Sequence, residues 1–354
     1  MRTIRDLDIK DKKVLVRVDY NVPIKSNKVE NNLRIQASLP TIKYLLDQGA
    51  KQIFLISHLG RPEGKPNPKL SLKPVLDSLK KLLPELKNHI EFAPLPNSNQ
   101  GNIKSNAKII LLENLRFDPS EENNSTDFAR SIANYTEANL FIQDGFAVLH
   151  RAHASTEAIT KLMPSGIGFL VEKEVENLTK VSKNPAHPAL LIIGGAKVED
   201  KAPLIEKFTK KFDQIAVGGK IAADGYQNKN PKIYTASDFD EDNTGAKLDI
   251  GPVSTGEITN KIVDAKTIIW NGLLGYAEDP AYATSSTIVA ELIGEKEDAT
   301  TVICGGDTTA FVETISTNHP NLHFSLISTG GGASLEFLLS GKLPGLEAIK
   351  RASL

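Results

Sequence analysis

The chain has 354 residues, of which 40% are hydrophobic and 24% charged, and its formal net charge is −1. This length suits two domains of roughly 150–200 residues each, and the near-neutral charge argues against nucleic acid or an anionic membrane as a partner. The single cysteine, Cys304, excludes an intramolecular disulfide and a cysteine-rich zinc site. Because the N-terminus has no signal-peptide core and no apolar run approaches the roughly 20 residues of a membrane span, we expect a cytoplasmic protein.

Short apolar segments alternate with helical ones through the first half of the chain. They are continuous and rich in β-branched residues, as expected of parallel strands that are buried on both faces. The spacing in Ser71–Leu83 predicts a helix, and the polar stretch Asn97–Asn106 predicts a surface loop. The predicted strands are Val14–Val18, Gln52–Ser57, Lys108–Leu112 and Leu140–Gln143.

A connector follows, in which apolar residues recur at helical spacing over Val171–Val181. The helix cannot continue past Pro185 and Pro188. We therefore predict an interdomain helix over residues 171–185, between an N-terminal domain of residues 1–170 and a C-terminal domain of residues 186–339.

The second half repeats the alternation. Here Ser286–Ile293 predicts a helix, and the polar, turn-rich stretch Gln227–Gly245 predicts a surface loop. The two halves together predict an α/β protein of two Rossmann-like domains with parallel sheets, joined by a hinge helix. The predicted strands are Ala189–Ile193, Gln214–Val217, Thr267–Trp270, Thr300–Cys304 and Phe324–Ser328.

Arginine is unevenly distributed, since eight of the nine arginines lie at or before Arg151 in a chain with 33 lysines. Arginine binds carboxylate or phosphate bidentately, whereas lysine is a point charge. Ligands of open parallel sheets bind beyond the carboxyl ends of the strands, where four of these arginines and one histidine fall. We predict a basic cup for a small, highly anionic substrate, with Asp19 and Asn21 binding its polar atoms. The cup residues are Arg34, His58, Arg61, Arg116 and Arg151.

Glycine-rich segments after the strands of the second half predict anion sites of another kind. Gly194-Gly195 opens a helix whose N-terminal N–H groups favour an anion, and Lys197 and Lys201 share one face of that helix. An isolated lysine pair of this spacing is more often a solvated face. Asp307, between glycines and a helix start, is the natural carboxylate for Mg²⁺ that bridges phosphate oxygens.

Other phosphate-binding motifs are missing from the sequence. No Gly-Lys pair is followed by Ser or Thr, no HRD loop precedes Asp144-Gly145-Phe146, and no GxGxxG follows the first strand. These observations argue against a P-loop NTPase, a protein kinase and a dinucleotide enzyme.

Nine short segments together carry a family resemblance. They are RVDYNVP (17–23), SHLGRP (57–62), ENLRF (113–117), HRAHAST (150–156), GGAKVEDK (194–201), LDIGP (248–252), WNG (270–272), GGDT (305–308) and STGGGASLEFL (328–338). In this order, and over nearly the whole chain, they resemble the signature segments of phosphoglycerate kinases. The resemblance implies a monomer that reversibly transfers a phosphoryl group from 1,3-bisphosphoglycerate to Mg-ADP by hinge closure, giving 3-phosphoglycerate and ATP. It also implies that the tail, residues 340–354, packs back on the N-terminal domain.

The resemblance assigns roles to individual residues. It implies catalytic roles for Arg34, Lys197, Gly306 and Gly331, and binding of 3-phosphoglycerate by Asp19, Asn21, Arg34, His58, Leu59, Gly60, Arg61, Arg116 and Arg151. It implies nucleotide binding by Gly195, Ala196, Lys197, Lys201, Gly218, Asn271, Glu278, Gly305, Gly306, Asp307 and Thr308, with Mg²⁺ on Asp307.

Departures from the family pattern cluster in the nucleotide half. The stretch after Gly218-Gly219 contracts to Ile221–Lys247, and Lys247, Leu273 and Ala277 stand where the family usually has other residues. We predict a shallower base pocket in which GDP and GTP serve about as well as ADP and ATP. The competing hypothesis is that the shortened segment rebuilds an adenine slot from different side chains.

Two other functions are compatible with the sequence. One is a kinase of this fold that acts on another acid or nucleotide. The presence of the four arginines and His58 argues against a changed acid. The other is a non-catalytic sensor of nucleotide and phosphoglycerate, against which the presence of Lys197 and Asp307 argues.

Overall fold

The computed structural model describes residues 1–97, 101–195 and 198–352, and of residues 198–200 and 202 it describes the backbone alone. The chain divides into two compact units. Unit 1 comprises Met1–Val175 and Lys342–Leu354, and unit 2 comprises Glu176–Gly341. Within the described ranges, the helices are all too short or too polar to cross a membrane.

Unit 1 is built on a parallel sheet of strand order β5-β6-β4-β1-β7-β8. Its strands are β1 (Lys13–Arg17), β2 (Ile24–Lys25), β3 (Lys28–Val29), β4 (Gln52–Ile56), β5 (Ile90–Ala93), β6 (Ile109–Leu112), β7 (Leu140–Gln143) and β8 (Ser165–Ile167). Its helices α1 (Leu33–Asp47), α2 (Lys73–Leu82) and α3 (Thr126–Thr136) are followed by α4 (Phe169–Lys183), which begins in unit 1 and ends in unit 2. The four strands predicted in this half are confirmed, with ends that differ by one residue at most.

The two outer strands of this sheet were not predicted. β5 exposes Glu91 and only half buries Phe92, so it lacks the continuous apolar run of a central strand. β8 has three residues and includes Gly166. β5 thus carries a weak sequence signal because only part of its surface is buried, whereas β8 is buried throughout and is too short for its pattern to be read as a strand.

Unit 2 is also built on a parallel sheet, of order β11-β10-β9-β14-β15-β16. Its strands are β9 (Ala189–Ile193), β10 (Gln214–Val217), β11 (Ile233–Thr235), β12 (Phe239–Glu241), β13 (Lys247–Ile250), β14 (Thr267–Asn271), β15 (Thr300–Cys304) and β16 (Leu326–Ser328). Its helices are α5 (Val198–Phe208), α6 (Gly219–Ala223), α7 (Pro252–Asp264), α8 (Thr284–Gly294), α9 (Gly306–Asn318) and α10 (Gly332–Ser340). Numbered within the sheet, the order is 3-2-1-4-5-6, as in Rossmann folds, which confirms the predicted fold class.

The prediction of a surface loop over Gln227–Gly245 is wrong in part. Ile233–Thr235 forms β11, the edge strand beside β10, and Phe239–Glu241 pairs antiparallel with β13. Both strands are only half buried or exposed, so their polar composition masks them in the sequence. The described part of the other predicted loop, Asn97–Asn106, contains no helix or strand.

The first turn of α4 is anchored in unit 1. The N–H groups of Phe169 and Leu170 donate to Thr41 Oγ1 at 3.0 Å and to Asp144 Oδ1 at 2.9 Å. Arg5 Nη1 lies 2.7 and 2.6 Å from the two carboxylate oxygens of Glu172. The first two contacts satisfy backbone donors that the start of any helix leaves unpaired, and the ion pair ties the first turn to Arg5.

The C-terminal helix α11 (Pro344–Ala352) belongs to unit 1. It buries Leu346 and Ile349, and the Gly345 N–H donates to the carbonyl of Leu149 at 3.0 Å. A Cβ atom on Gly345 would lie 2.5 Å from Leu149 Cδ2, so a larger residue there would require the Leu149 side chain to move.

Candidate active site

Polar side chains gather in unit 1 where β1 and β7 end, the point at which the chain changes direction across the sheet. Asp19 follows β1 and is buried, and Nη1 of Arg34 in the first turn of α1 pairs with its carboxylate. The Asn21 N–H donates to Asp19 Oδ1 at 3.2 Å, and Asn21 Oδ1 accepts from the Gly60 N–H at 2.9 Å. The structure therefore brings Asp19, Asn21, Arg34 and Gly60 together, and Leu59 is buried beside them.

The remaining arginines of the predicted cup lie in the same region of unit 1. Arg116 follows β6, donates from Nη1 to the Gly60 carbonyl at 2.8 Å, and has Nε 3.0 Å from Glu122 Oε1. Burial lowers the pKa of Arg116 most, and the charges of Arg151 and Arg61 lower it further. Arg61 is exposed and Arg151 half-buried. The four cup arginines thus share one region of unit 1, as the sequence predicts.

The histidines of this region are neutral near neutral pH. Burial, followed by the charges of Arg17, Arg116 and Arg34, holds the pKa of His58 well below its ordinary value. Burial and neighbouring arginines lower the pKa of His150 to about 4 and that of His153 to about 3. The positive charge of the cup therefore comes from guanidinium groups, and the histidines contribute hydrogen-bonding nitrogens.

Arg17 is a functional candidate that the residue-by-residue prediction missed. It is the last residue of β1, its side chain is 1% exposed, and its Nη2 lies 3.1 Å from His58 Nδ1. The available sequence signal was the position of this arginine at the end of an apolar strand, where burial is expected. A buried arginine almost always has a partner, so this position indicates a paired polar group.

In unit 2 the corresponding change of direction lies between β9 and β14, and each of these strands is followed by glycine. The Gly194 N–H donates to the Asn271 carbonyl at 3.0 Å, and the Gly195 N–H donates to the Leu273 carbonyl at 2.7 Å. Gly272 has φ +96°, and a Cβ atom there would lie 2.1 Å from the Gly194 carbonyl oxygen. Only glycine permits both the conformation and the approach.

Polar groups converge on these glycine loops. Lys201 Nζ donates to the carbonyls of Gly194 at 2.7 Å and Asn271 at 3.2 Å, and the Gly272 N–H donates to Thr308 Oγ1 at 2.8 Å. Asn271 is 2% exposed, and its Nδ2 has no hydrogen-bond acceptor among the residues that the structure describes. A buried amide donor without an acceptor is unfavourable, so this group is suited to an anionic ligand.

The loop before α9 fits a magnesium–phosphate site. Gly305 has φ +99° and precedes the first turn of α9, where the carboxylate of Asp307 is exposed. Magnesium is commonly bound by one or two carboxylates together with substrate phosphates, so a single carboxylate at a helix N-terminus matches its needs. Gly331, with φ +53°, precedes α10, and its Cβ position lies 3.9 Å from Gly305 Cα.

The structure also places three further residues that the sequence assigns to nucleotide binding. Gly218, after β10, packs so closely that a Cβ atom would lie 2.7 Å from Leu274 Cδ2. Glu278 accepts a hydrogen bond from the Tyr276 hydroxyl at 2.8 Å, farther along the loop that begins at Gly272. Gly306 is the first residue of α9. Ala196 and Lys197, which the sequence also assigns to this site, lie outside the described residues.

The phosphoglycerate kinase family model matches residues 4–233 and 223–342. The chain belongs to the phosphoglycerate kinase family. The phosphoglycerate kinase of Fervidobacterium nodosum is 38% identical over 401 residues, covering 98% of each chain. The structure of phosphoglycerate kinase from Coxiella burnetii is 30% identical with a TM-score of 0.76, covering 99% of this chain and 98% of that one. The structure from Pyrococcus horikoshii is 26% identical with a TM-score of 0.85, covering 100% and 99%.

This family member is a phosphotransferase, and its chain lacks positions that a relative has. The alignment with the Fervidobacterium relative spans 401 positions, which is 47 more than the 354 residues of the whole chain, so at least 47 positions face gaps. The two matched stretches overlap at residues 223–233, between α6 and β11. This overlap lies within the interval Ile221–Lys247, which the sequence analysis predicts to be contracted.

Proposed function

We propose that this member of the phosphoglycerate kinase family transfers a phosphoryl group from 1,3-bisphosphoglycerate to Mg-ADP, reversibly, with the acid bound by unit 1 and the nucleotide by unit 2. The observation that carries the proposal is the cluster of arginines at the strand ends of unit 1, in which Arg34 and Arg116 act on His58, and Arg61 and Arg151 act on Arg116. A substrate with carboxylate and phosphate oxygens matches this concentration of donors. We further propose that the enzyme is monomeric and cytoplasmic. Light scattering of the purified protein gives its mass in solution and so tests whether it is a monomer.

In the acid site, the arginines bind and orient the substrate. Planar guanidinium groups can hold carboxylate or phosphate oxygens in pairs. Asn21 and His58 supply neutral polar atoms, and Asp19 fixes Arg34 through an ion pair. Leu59, Gly60 and Arg61 belong to the loop that borders the site.

In the nucleotide site, the first turn of α9 after β15 offers the N–H groups that a helix N-terminus leaves without an intrahelical partner, and Asn271 adds a buried amide. Lys201, Gly218 and Thr308 border these loops, and Glu278 is proposed to bind the ribose. Bound to Asp307 and the phosphates, Mg²⁺ would supply neutralising charge to the nucleotide.

Transfer requires in-line contact between groups on separate units, and we propose that closure about α4 provides it. Closure also excludes water, which would otherwise hydrolyse the acyl phosphate. Arg34, Lys197 and the N–H groups near Gly306 and Gly331 then stabilise the transferring phosphoryl oxygens. In the ATP-forming direction the attacking β-phosphate oxygen of ADP is already anionic, so no general base is needed.

A coupled assay of the purified protein with 3-phosphoglycerate and ATP tests this proposal. We expect activity in both directions, loss of activity when Mg²⁺ is chelated, and its return when Mg²⁺ is added. No turnover with Mg-ATP and 3-phosphoglycerate, in a preparation that is folded by circular dichroism, would exclude the proposed reaction.

The KM for 3-phosphoglycerate is expected not to rise between about pH 6 and pH 8. His58, His150 and His153 have lowered pKa values and are already neutral in this range, so raising the pH removes no positive charge from the site. The substrate phosphate, with a second pKa near 6, gains negative charge instead. The check is KM measured across this range at constant ionic strength. A KM that increases severalfold would show that charged histidines bind the substrate.

Purine discrimination is expected to be weak, with kcat/KM for GDP within about 10-fold of that for ADP. The shortened interval between α6 and β13 leaves fewer residues to contact the purine base. Loose apolar contacts distinguish two bases by only about 1–3 kcal/mol per differing group. The ribose and phosphate contacts are common to both nucleotides. Parallel assays with ADP and GDP at equal magnesium and salt decide the matter. A preference for ADP of about 100-fold or more would favour the rebuilt adenine slot.

A further inference from the structure

A buried chain of side chains, Glu121–Ser155–Arg17–His58, lies within unit 1, and we call it the Arg17 network. Glu121 is 0% exposed and accepts from the Ser155 hydroxyl at 2.6 Å and from the Ser155 N–H at 3.0 Å. The Ser155 Oγ atom in turn accepts from Arg17 Nε at 2.9 Å. Glu121 thereby supplies, through one hydroxyl, the countercharge that a buried guanidinium needs.

The other end of Arg17 fixes its own orientation and meets His58. Nη1 donates to the Val18 carbonyl at 2.5 Å, and Nη2 lies 3.1 Å from His58 Nδ1. A guanidinium group carries only donors, so the nitrogen of His58 that faces it must be the acceptor. The single proton of the neutral ring then lies on Nε2.

We propose that Arg17 is a positioning residue that holds His58 in the Nε2–H tautomer, so that the ring offers an N–H donor to the acidic substrate. The proposal rests on the proposed function in one respect, namely that the acceptor is 3-phosphoglycerate. His58 then contributes an oriented hydrogen bond and no charge. Its lowered pKa agrees with this, because burial and three arginines disfavour a second proton.

A purely structural role for Arg17 is the alternative. In that case Arg17 would support the loop through Val18 and Ser155, and the tautomer of His58 would not depend on Arg17. The two accounts differ in the protonation state of one ring nitrogen, which can be observed without measuring activity.

The test is ¹⁵N NMR of protein labelled at histidine, with the His58 signals assigned by comparison with His58→Gln. In the wild-type protein at about pH 7 we expect a protonated Nε2 and an unprotonated Nδ1. A protonated Nδ1, averaged shifts of mixed tautomers, or a doubly protonated ring would each overturn the proposal.

Two substitutions at Arg17 extend the test. Arg17→Met removes the donor at similar length, so we expect mixed tautomers at His58 and a KM for 3-phosphoglycerate raised by about 10-fold, with the KM for Mg-ATP unchanged. Arg17→Lys keeps a donor and should restore the wild-type ¹⁵N pattern and part of the affinity. A raised KM with an unchanged ¹⁵N pattern in Arg17→Met would contradict the tautomer role.

If the Arg17 variants fail to fold, the spectrum of the wild-type protein can still overturn the proposal. Ser155→Ala offers a milder perturbation of the same network, with partial tautomer mixing expected. Addition of 3-phosphoglycerate to the wild-type protein separates the two claims. If His58 has the expected tautomer but its signals do not respond to saturating ligand, the proposed acid site fails while the role of Arg17 in fixing the ring stands.

Discussion

Replacement of Lys197 by alanine is expected to lower kcat by on the order of 10²–10³-fold, while binding of 3-phosphoglycerate stays nearly intact. The expectation rests on sequence position, since Lys197 follows Gly194-Gly195 and directly precedes α5. Loss of one preorganised charge donor to a transferring phosphoryl group typically costs this much. Steady-state kinetics with both substrates, together with a binding titration of the acid, give the two quantities.

Lys207→Ala is the matched control, because Lys207 is an exposed lysine in the last turn of the same helix. It should keep close to wild-type turnover. Lys197→Ala retaining half of the wild-type kcat would show that this side chain is not a catalytic group.

Arg34→Lys is expected to reduce kcat/KM for 3-phosphoglycerate by about 10²-fold even though the charge is kept. One nitrogen of Arg34, Nη1, is committed to the buried carboxylate of Asp19. The guanidinium group can hold that partner and still offer further donors in its plane, whereas an ammonium group cannot span both. A charge-assisted hydrogen bond lost in this way is worth about 1.5–3 kcal/mol.

Arg130→Lys provides the control, since Arg130 is an exposed arginine that pairs with Asp127 on α3. Its kinetics should not change. If Arg34→Lys is as mild as this control, Arg34 acts only as a general source of positive potential.

The fold was largely predictable because its central strands are unambiguous in sequence. Gln52–Ile56 and Ala189–Ile193, for example, are buried at every residue, so no competing pattern obscures them. The failures lie at the edges of the sheets. Ile233–Thr235 is half exposed, and its strand character depends on pairing with β10, which sequence periodicity does not reveal.

The site was predictable where chemistry is concentrated in rare residues. Arginines in a lysine-rich chain indicate the candidate acid site of unit 1, and glycines after strands indicate the candidate phosphate-binding loops of unit 2. The protonation of His58 was not predictable, because it depends on burial and on three arginines from distant parts of the chain. Arg17 was missed as a site residue for a related reason, since only folding places it beside His58.

The central claim is that the acid binds to unit 1 and the nucleotide to unit 2. Calorimetric titration of each ligand alone into wild-type protein, Arg61→Ala and Asp307→Ala tests it most directly, because both side chains are exposed and their removal should leave the fold intact. We predict that Arg61→Ala weakens 3-phosphoglycerate binding about 10-fold or more without changing Mg-ADP binding, and that Asp307→Ala does the reverse. Equal weakening of both ligands by either variant, or 3-phosphoglycerate binding that is unchanged in Arg61→Ala, would contradict the account.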